Sequence, residues 1–199
     1  MENKCLRIFT RAALRLIMNL MFRIRFKGAK DFPKEGGLIV CANHTSLFDI
    51  PILAFISKRW IHYMAKKELF EKWFGRKFVT AMGGFPVDRG RGDIGSIKTA
   101  LRLLKSGKIL GLFPQGTREK KGERLPARKG AAMLAALSGS PIVPVLIEGE
   151  YRLFGRVTVT VGKPYDLGLQ KGGKYPAEVI EQKSMEIMDR IYALRGVYA

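Results

Sequence analysis

A histidine and an aspartate five residues apart are the first pair in this sequence whose side chains suit catalysis: His44 and Asp49, within the segment Asn43–Asp49. A neutral imidazole, with an ordinary pKa of about 6.5, suits a general base at neutral pH. A carboxylate bonded to it would fix its tautomer and stabilise the imidazolium. The spacing predicts that Ser46 caps a helix and that Asp49, near its start, turns back onto His44. A structural histidine beside a capping aspartate is the alternative interpretation.

A protein nucleophile does not accompany this pair. The sequence has no Gly-x-Ser-x-Gly elbow, and neither Cys5 nor Cys41 lies beside a histidine. The pair therefore indicates direct activation of a substrate hydroxyl, that is, transfer of a group to an alcohol in one step. Two cysteines in 199 residues do not make a disulfide framework or a structural zinc site, so we expect free thiols in a reducing compartment and no metal.

Two later segments contain glycine and arginine in an order that suits phosphate. In Gly83–Arg89 the glycines permit close approach and Arg89 offers a planar fork of donors. In Phe113–Arg118 a glycine turn can present backbone amides to an anion, with Thr117 as a donor and Arg118 as a cation. Taken singly, each segment is also typical of a solvated surface loop.

The elements that must position these residues alternate short apolar runs with helical periodicities, which indicates an α/β domain. Strands are predicted at Leu38–Ala42, Trp60–Ala65, Ile109–Phe113, Ile142–Ile147 and Val157–Val161. Helices are predicted at Leu47–Ile56, Ile94–Lys105, Gly130–Leu137 and Ala177–Leu194. The candidate residues follow predicted strands, where open α/β sheets usually bind their ligands.

The amino terminus has the pattern of an amphipathic helix, with apolar residues on one side: Leu6, Phe9, Ala13, Leu16, Ile17, Leu20 and Ile24. Cations fall on the other side: Lys4, Arg7, Arg11, Arg15 and Arg25. The uncharged stretch Leu16–Phe22 is too short to cross a bilayer. We therefore predict a membrane-associating helical segment at residues 1–27, with arginines toward anionic lipid, and a catalytic α/β domain at 28–199. Docking of the apolar stripe on the protein's own domain is the alternative.

The net charge of +19, from 36 Lys+Arg and 17 Asp+Glu, favours anionic partners. The basic residues are scattered, and no RNP-type aromatic signature or zinc finger is present, so we expect no nucleic acid. An anionic membrane surface, a phosphorylated substrate or an acidic carrier protein remains. A non-catalytic basic module, with a structural His44, is the alternative class.

Taken together and in order, four motifs resemble those of the glycerolipid acyltransferases, most closely the lysophosphatidate acyltransferases of bacteria. Asn43–Asp49 resembles the His-x4-Asp motif and Gly84–Arg89 the second motif. Phe113–Arg118 resembles the Phe-Pro-Glu-Gly-Thr-Arg motif, and Ile142–Val145 the proline-centred fourth strand. Gln115 departs from the pattern, because the family usually has Glu at this position.

The resemblance implies a central, mostly parallel sheet flanked by helices, with His44 as the base and Asp49 orienting it. It further implies a phosphate pocket formed by Arg89, Gly116, Thr117, Arg118 and Lys66. The expected reaction transfers a fatty acyl group from acyl carrier protein or coenzyme A to the sn-2 hydroxyl of lysophosphatidic acid, giving phosphatidic acid without cofactor or acyl-enzyme. Glycerol-3-phosphate or another lysolipid is the alternative acceptor. The expected location is the cytoplasmic face of the cell membrane, as a peripheral or monotopic protein.

Overall fold

A seven-stranded sheet forms the centre of the computed structural model, which describes residues 4–28, 32–88, 93–120 and 123–197. The strands are β1 (Arg23–Gly28), β2 (Leu38–Ala42), β3 (Ile61–Lys66), β4 (Gly84–Val87), β5 (Ile109–Leu112), β6 (Ile142–Gly149) and β7 (Arg156–Val161). Their order across the sheet is β1-β7-β6-β2-β5-β3-β4. The five strands from β6 to β4 are parallel, whereas β7 is antiparallel to β6 and pairs in parallel with β1. The predicted α/β class with a mostly parallel sheet is confirmed.

Helices cover both faces of this sheet. They are α1 (Lys4–Met21), α2 (Asp49–Leu53), α3 (Trp73–Ala81), α4 (Ile94–Lys105), α5 (Gly130–Ser138) and α6 (Ala177–Tyr192), with a 3-10 turn at Lys67–Phe70. In β2, Leu38, Val40 and Ala42 pack toward α1 and α2, whereas Ile39 and Cys41 pack toward α4–α6. Alternation with a period of two sends successive side chains to opposite faces. All five residues of β2 are buried, which explains its continuous apolar sequence.

The helix predicted at Leu47–Ile56 is shorter than expected and has no side-chain cap. It begins at Asp49, and its cap position is Phe48 rather than Ser46. The hydroxyl of Ser46 accepts only the amide of Phe48, at 3.3 Å. The physical reason is that the Asp49 carboxylate accepts the amides of Thr45 and Ser46, which keeps these two residues in a turn.

The helix predicted to continue through residue 27 ends at Met21, and residues 23–28 form strand β1 instead. Three cations alternate there with Ile24 and Phe26, which is the period of a strand and not of a helix. The strand pairs with β7 along its whole length. Its charged residues suit the edge of a sheet, where they discourage pairing with another chain.

Helix α1 docks with the side opposite to the one that the amphipathic pattern suggests. Phe9, Leu16 and Leu20 of the apolar stripe are 72%, 62% and 64% exposed, whereas Met18 is buried. The Arg11 guanidinium donates to the carbonyls of residues 57 and 58, and the Arg7 guanidinium lies 4.9 Å from the ring centroid of residue 60.

The alternative of docking through the apolar stripe is therefore wrong. So is the expectation that these two arginines face outward, because backbone carbonyls and an indole ring on the domain receive them. Among the described residues, no helix is long and apolar enough to cross a bilayer.

The segment after β3 contains three elements that the sequence pattern did not reveal. They are the 3-10 turn, α3 and the edge strand β4, whose residues Gly84–Val87 were expected to form a loop. Four residues are too few to show a period, and a proline inside them argues against a central strand. Pro86 is tolerated because β4 has only one neighbour, β3.

Candidate active site

The carboxyl ends of neighbouring parallel strands bring the predicted motifs to one edge of the sheet. His44 follows β2, and the segment Phe113–Arg118 follows β5, which is the neighbour of β2. Lys66 is the last residue of β3, which lies on the other side of β5. Adjacent strands lie about 4.8 Å apart, so Lys66 is roughly 10 Å from β2 across the sheet. This edge is where a ligand of such a sheet binds.

The predicted contact between His44 and Asp49 is present. Nδ1 of His44 lies 2.9 Å from Oδ2 of Asp49, whose side chain is fully buried, whereas the His44 side chain is 13% exposed. The same Oδ2 accepts the backbone amides of Thr45 and Ser46, each at 2.7 Å. A carboxylate only accepts, so Nδ1 of His44 carries the proton and Nε2 keeps its lone pair. Nε2, the ring nitrogen that does not contact Asp49, is therefore the candidate base.

Tyr151 is a third member of this group, which the sequence motifs did not reveal. It follows β6 and donates its hydroxyl to Oδ1 of Asp49, the oxygen that His44 does not touch. Phe22 packs edge-on against its ring, with centroids 5.4 Å apart. Burial, and then the charge of Asp49, raises the pKa of Tyr151 above its ordinary value, so the hydroxyl stays protonated as a donor. Tyr151 and Asp49 are 102 positions apart in the sequence, and the pairing of β6 with β2 brings them together.

Asn43 fixes the direction in which the chain leaves β2. Its side-chain amide donates to the carbonyl of Ile147 at 2.9 Å, and the Ile147 amide donates to its side-chain oxygen at 2.7 Å. The side chain thus satisfies both backbone groups of Ile147 in β6, while the backbone turns away toward His44. Asn43 is 4% exposed, so neither polar group is left without a partner in the interior.

The loop after β5 is fastened directly to His44. The Phe113 ring stacks on the imidazole with centroids 4.0 Å apart and an interplanar angle of 18°. The amide of Glu119 donates to the carbonyl of His44 at 2.7 Å. The first and third motifs therefore form one unit, in which the imidazole is held on one side by Asp49 and on one ring face by Phe113.

Gly116 makes the turn of the third motif possible. Its φ is +71°, and a Cβ at this position would lie 2.8 Å from Cδ of Arg128, so only glycine fits without a shift. Thr117 and Arg118 follow on the surface, exposed beside the loop that carries His44. The structure thus brings these three predicted phosphate-binding residues to the edge that holds the histidine.

The remaining predicted phosphate contacts are placed less closely. Lys66 is exposed at the end of β3, two strands from β2. Arg89 lies outside the described residues. The residues on either side of positions 89–92 are connected, because the Asp88 amide donates to Oδ2 of Asp93 at 2.9 Å. Oδ1 of Asp93 caps α4 by accepting the Ser96 amide at 3.0 Å. Lys67 pairs with Asp88 and so links the ends of β3 and β4.

The residue that directly follows the third motif in the sequence carries a second buried carboxylate. Glu119 is 7% exposed, accepts the hydroxyl of Tyr192 and accepts the amide of Leu125 at 3.1 Å. Gln115, where the resemblance leads one to expect Glu, is 2% exposed and lies beside the same tyrosine. No sequence motif points to Glu119, because only the packing of α6 against this loop reveals its environment.

The thiol of Cys41 lies away from the pair formed by His44 and Asp49. Cys41 is fully buried in β2, and burial raises its pKa, so it is not a nucleophile. The side chain of Cys5 lies outside the described part of the chain. Within the described ranges, no group of three His, Cys, Asp or Glu side chains is placed to hold a metal ion.

A basic groove of about 780 Å³ lies at the opposite end of the sheet. Its lining includes Arg7, Arg11, Arg15, Lys58 and Trp60. Trp60 directly precedes β3, so the groove lies at the amino end of that strand. The groove is therefore separate from the candidate site around His44.

Comparisons with known proteins agree with this geometry. The protein-family model described as Acyltransferase matches residues 23–148. The 1-acyl-sn-glycerol-3-phosphate acyltransferase of Bacillus subtilis is 36% identical over 163 residues, which cover 78% of this chain and 80% of that protein. The protein of the same name from Streptococcus pneumoniae is 32% identical over 141 residues, covering 67% of this chain and only about half, 52%, of its own length. The crystal structure of the 1-acyl-sn-glycerophosphate acyltransferase of Thermotoga maritima matches with a TM-score of 0.68 at 25% identity, covering 97% of this chain and 80% of that one.

Proposed function

Because this chain belongs to the acyltransferase family, we propose that it transfers a fatty acyl group to lysophosphatidic acid and so produces phosphatidic acid. The observation that carries the proposal is the contact of His44 with a buried carboxylate at the carboxyl edge of the sheet. The names of the relatives from Bacillus subtilis and Streptococcus pneumoniae support 1-acyl-sn-glycerol-3-phosphate as the acceptor.

In the proposed mechanism, Nε2 of His44 takes the proton of the sn-2 hydroxyl as that oxygen attacks the thioester carbonyl. The new carbon–oxygen bond forms, the carbon–sulfur bond breaks, and the imidazolium returns its proton to the departing thiolate. Asp49 stabilises the imidazolium and keeps Nδ1 as the donor that faces the carboxylate. No side chain of the protein becomes acylated, which fits the inert environment of Cys41.

The acceptor phosphate is proposed to lie against the turn of the third motif. Gly116 lets the backbone approach closely, Thr117 supplies a hydroxyl, and Arg118 supplies a charged fork suited to phosphate. Lys66, at the end of β3, and Arg89, which follows β4 in the sequence, are further proposed contacts. Glycerol-3-phosphate or another lysolipid would present the same phosphate to these residues, so acceptor choice has to be measured directly.

The proposed donor is a fatty acyl thioester of acyl carrier protein or of coenzyme A, without metal or redox cofactor. A net charge of +19 suits either an acidic carrier or a phosphorylated coenzyme. We propose that α1 lies on the cytoplasmic face of the cell membrane, because Phe9, Leu16 and Leu20 present an apolar stripe that the domain does not cover. The uncharged stretch Leu16–Phe22 is too short to cross a bilayer, which supports peripheral or monotopic attachment.

The test is acyl transfer to lysophosphatidate in mixed micelles, with the carrier-protein and coenzyme A thioesters supplied in parallel. His44→Ala is expected to lose about 10²- to 10⁴-fold in kcat, the usual contribution of a general base. The chain has two histidines, so His62→Gln in β3 is a matched control that should keep wild-type activity when folded. An active His44→Ala protein contradicts the mechanism. Transfer to glycerol-3-phosphate in place of lysophosphatidate contradicts the acceptor.

A further inference from the structure

Helix α3 is an amphiphilic element without a buried residue. Trp73, Phe74 and Phe78 are 57%, 79% and 55% exposed, and Leu69 in the preceding 3-10 turn is 51% exposed. Single exposed apolar residues are normal on a protein surface, but several large ones side by side mark an interaction site. Trp73 and Phe74 contact each other edge-to-face with centroids 4.5 Å apart, so the residues form a cluster.

This cluster lies next to the exposed stripe of α1. Helices α1 and α3 touch, and Met82, which directly follows α3, belongs to the same buried cluster as Met18 of α1. The 3-10 turn and α3 begin where β3 ends, at the edge that carries His44, and the chain then runs back toward the start of β4. The exposed residues Leu16 and Leu20 and the exposed residues Trp73 and Phe74 therefore lie on two helices in contact, and α3 is reached from the edge that carries His44.

The charges around the cluster suit an anionic surface. Lys72, Arg76 and Lys77 lie on or directly before α3, and Nζ of Lys77 lies 4.1 Å from the centroid of the Trp73 ring. The acidic residues of this segment are Glu68 and Glu71, both in the turn before the helix. Tryptophan with lysine suits the boundary of a bilayer, where the ring meets acyl chains and the ammonium reaches phosphates.

The opposite face of the sheet provides the contrast. There α5 buries five of its nine residues, and α6 buries Ser184, Ile187, Met188 and Ile191. The large apolar residues left exposed on these two helices are Leu137, at 39%, and Met185, at 55%, one on each helix. The strands supply apolar residues to both faces of the sheet. The exposed aromatic residues of α3 are therefore a feature of that helix and not of every helix that covers the sheet.

We propose that the 3-10 turn and α3 form a second lipid-contacting element, which inserts Trp73, Phe74 and Phe78 into the headgroup boundary of an anionic bilayer beside α1. The proposal rests on the proposed function, because an acceptor held in a membrane requires the candidate site to open at the lipid surface. Contact through two helices fixes the orientation of the domain, whereas a single helix leaves it free to rotate about that helix.

Fluorescence of Trp73 tests the insertion directly. The chain has two tryptophans, so Trp60→Phe leaves Trp73 as the sole reporter. On addition of vesicles of phosphatidylglycerol and phosphatidylcholine, its emission is expected to shift to shorter wavelength and to be quenched by lipids brominated in the acyl chain. Emission that stays unshifted on vesicles that do sediment with the protein overturns the proposal.

Cosedimentation with the same vesicles measures the contribution of the cluster to binding. The variant Trp73→Ser/Phe74→Ser/Phe78→Ser is expected to partition at least about tenfold more weakly, from the loss of three half-exposed apolar side chains. Leu137→Ser/Met185→Ser, on the opposite face, is the matched control and should bind like wild type. Circular dichroism and thermal unfolding of both variants establish that they are folded.

The outcomes separate this inference from the proposed function. Equal vesicle binding by the α3 variant and wild type overturns the lipid surface, even if acyl transfer to lysophosphatidate is intact. If the variant binds vesicles normally but loses activity only with the carrier-protein thioester, the surface docks the carrier and the inference is wrong. If wild-type Trp73 inserts but no acyl transfer to lysophosphatidate occurs, the proposed function fails and the lipid surface is supported.

Discussion

Two buried carboxylates at the same edge of the sheet each accept a tyrosine hydroxyl, and they differ in what else they touch. Asp49 accepts from Tyr151 on one oxygen and from His44 and two backbone amides on the other. Glu119 accepts from Tyr192 and from the amide of Leu125. Burial and a tyrosine partner are common to both, but Asp49 alone of the two contacts an imidazole that reaches solvent.

This difference assigns different tasks to two chemically similar groups. The negative charge of Asp49 acts on a group that gains and loses a proton, so it stabilises an imidazolium when one forms. Glu119 instead connects the loop after β5 to α6, and its charge faces donors that never titrate in the working range. Burial of a carboxylate therefore does not mark catalysis by itself, and what distinguishes Asp49 is its contact with an imidazole that reaches solvent.

Asp49→Asn breaks the catalytic side of this comparison and has the largest expected effect. The amides of Thr45 and Ser46 keep the oxygen of Asn toward His44, so the bond to Nδ1 is retained but the negative charge that stabilises the imidazolium is lost. We expect kcat for acyl transfer to fall about 10²- to 10⁴-fold while the protein remains folded. Near-wild-type kcat would show that Asp49, like Glu119, serves only to hold its loop in place.

Gln115→Glu sharpens the structural side of the comparison. This change restores the residue usual in the resembled motif but places a second carboxylate beside Tyr192 and Glu119 in the interior. We expect the free energy of unfolding, measured with urea at pH 7, to fall by about 1–3 kcal/mol. The loss should shrink toward pH 4, because a carboxyl whose pKa is raised on folding destabilises the fold only where it is ionised in the unfolded chain.

The double variant Gln115→Glu/Glu119→Gln is the matched control for this prediction. It moves the carboxylate from position 119 to position 115 without adding one, so it should regain most of the lost stability. If Gln115→Glu alone is as stable as wild type at pH 7, the two positions do not compete for a single buried charge.

Much of the fold was predictable because β2 and most of β6 are continuous apolar runs and β7 alternates valine with threonine. Strand β2 and helix α4 appear where their patterns placed them. The failures have physical causes that no local pattern contains. In β1 the charges alternate with a period of two, but Ile24 also fits the apolar stripe of the preceding helix. Strand β4 is too short to show a period. Elements of this kind are decided by the neighbouring strand that they pair with.

The orientation of α1 was not predictable from its periodicity. The pattern correctly indicated two chemically different sides, but the choice of the side that docks depends on what the domain offers. Carbonyls at residues 57 and 58 receive Arg11, which leaves the apolar stripe outside. An amphipathic pattern therefore predicts two faces and not which of them meets the protein.

The candidate site divides in the same way. The contact of His44 with Asp49 followed from local spacing, because both residues belong to one strand-turn-helix segment. Tyr151 and Glu119 could not be found, since each contact joins distant parts of the chain through strand order or helix packing. Local motifs thus indicate the reacting pair, and the tertiary structure supplies the groups that hold it.

Tyr151→Phe has the smallest expected effect and tests whether the tyrosine of Asp49 differs in kind from that of Glu119. Removing its hydroxyl takes away the donor that holds the second oxygen of the carboxylate, so Asp49 positions His44 less firmly. Loss of one hydrogen bond, worth about 1 kcal/mol, predicts an approximately fivefold fall in kcat/KM at pH 7. The fall should lie in kcat rather than in KM, because Tyr151 acts through the carboxylate that orients the base and does not contact the substrate phosphate in the proposed mechanism. Tyr63→Phe is the matched control, since the buried Tyr63 hydroxyl has no hydrogen-bond partner among the described residues. An unchanged kcat in Tyr151→Phe would show that its hydroxyl only holds the carboxylate in the fold, as that of Tyr192 holds Glu119.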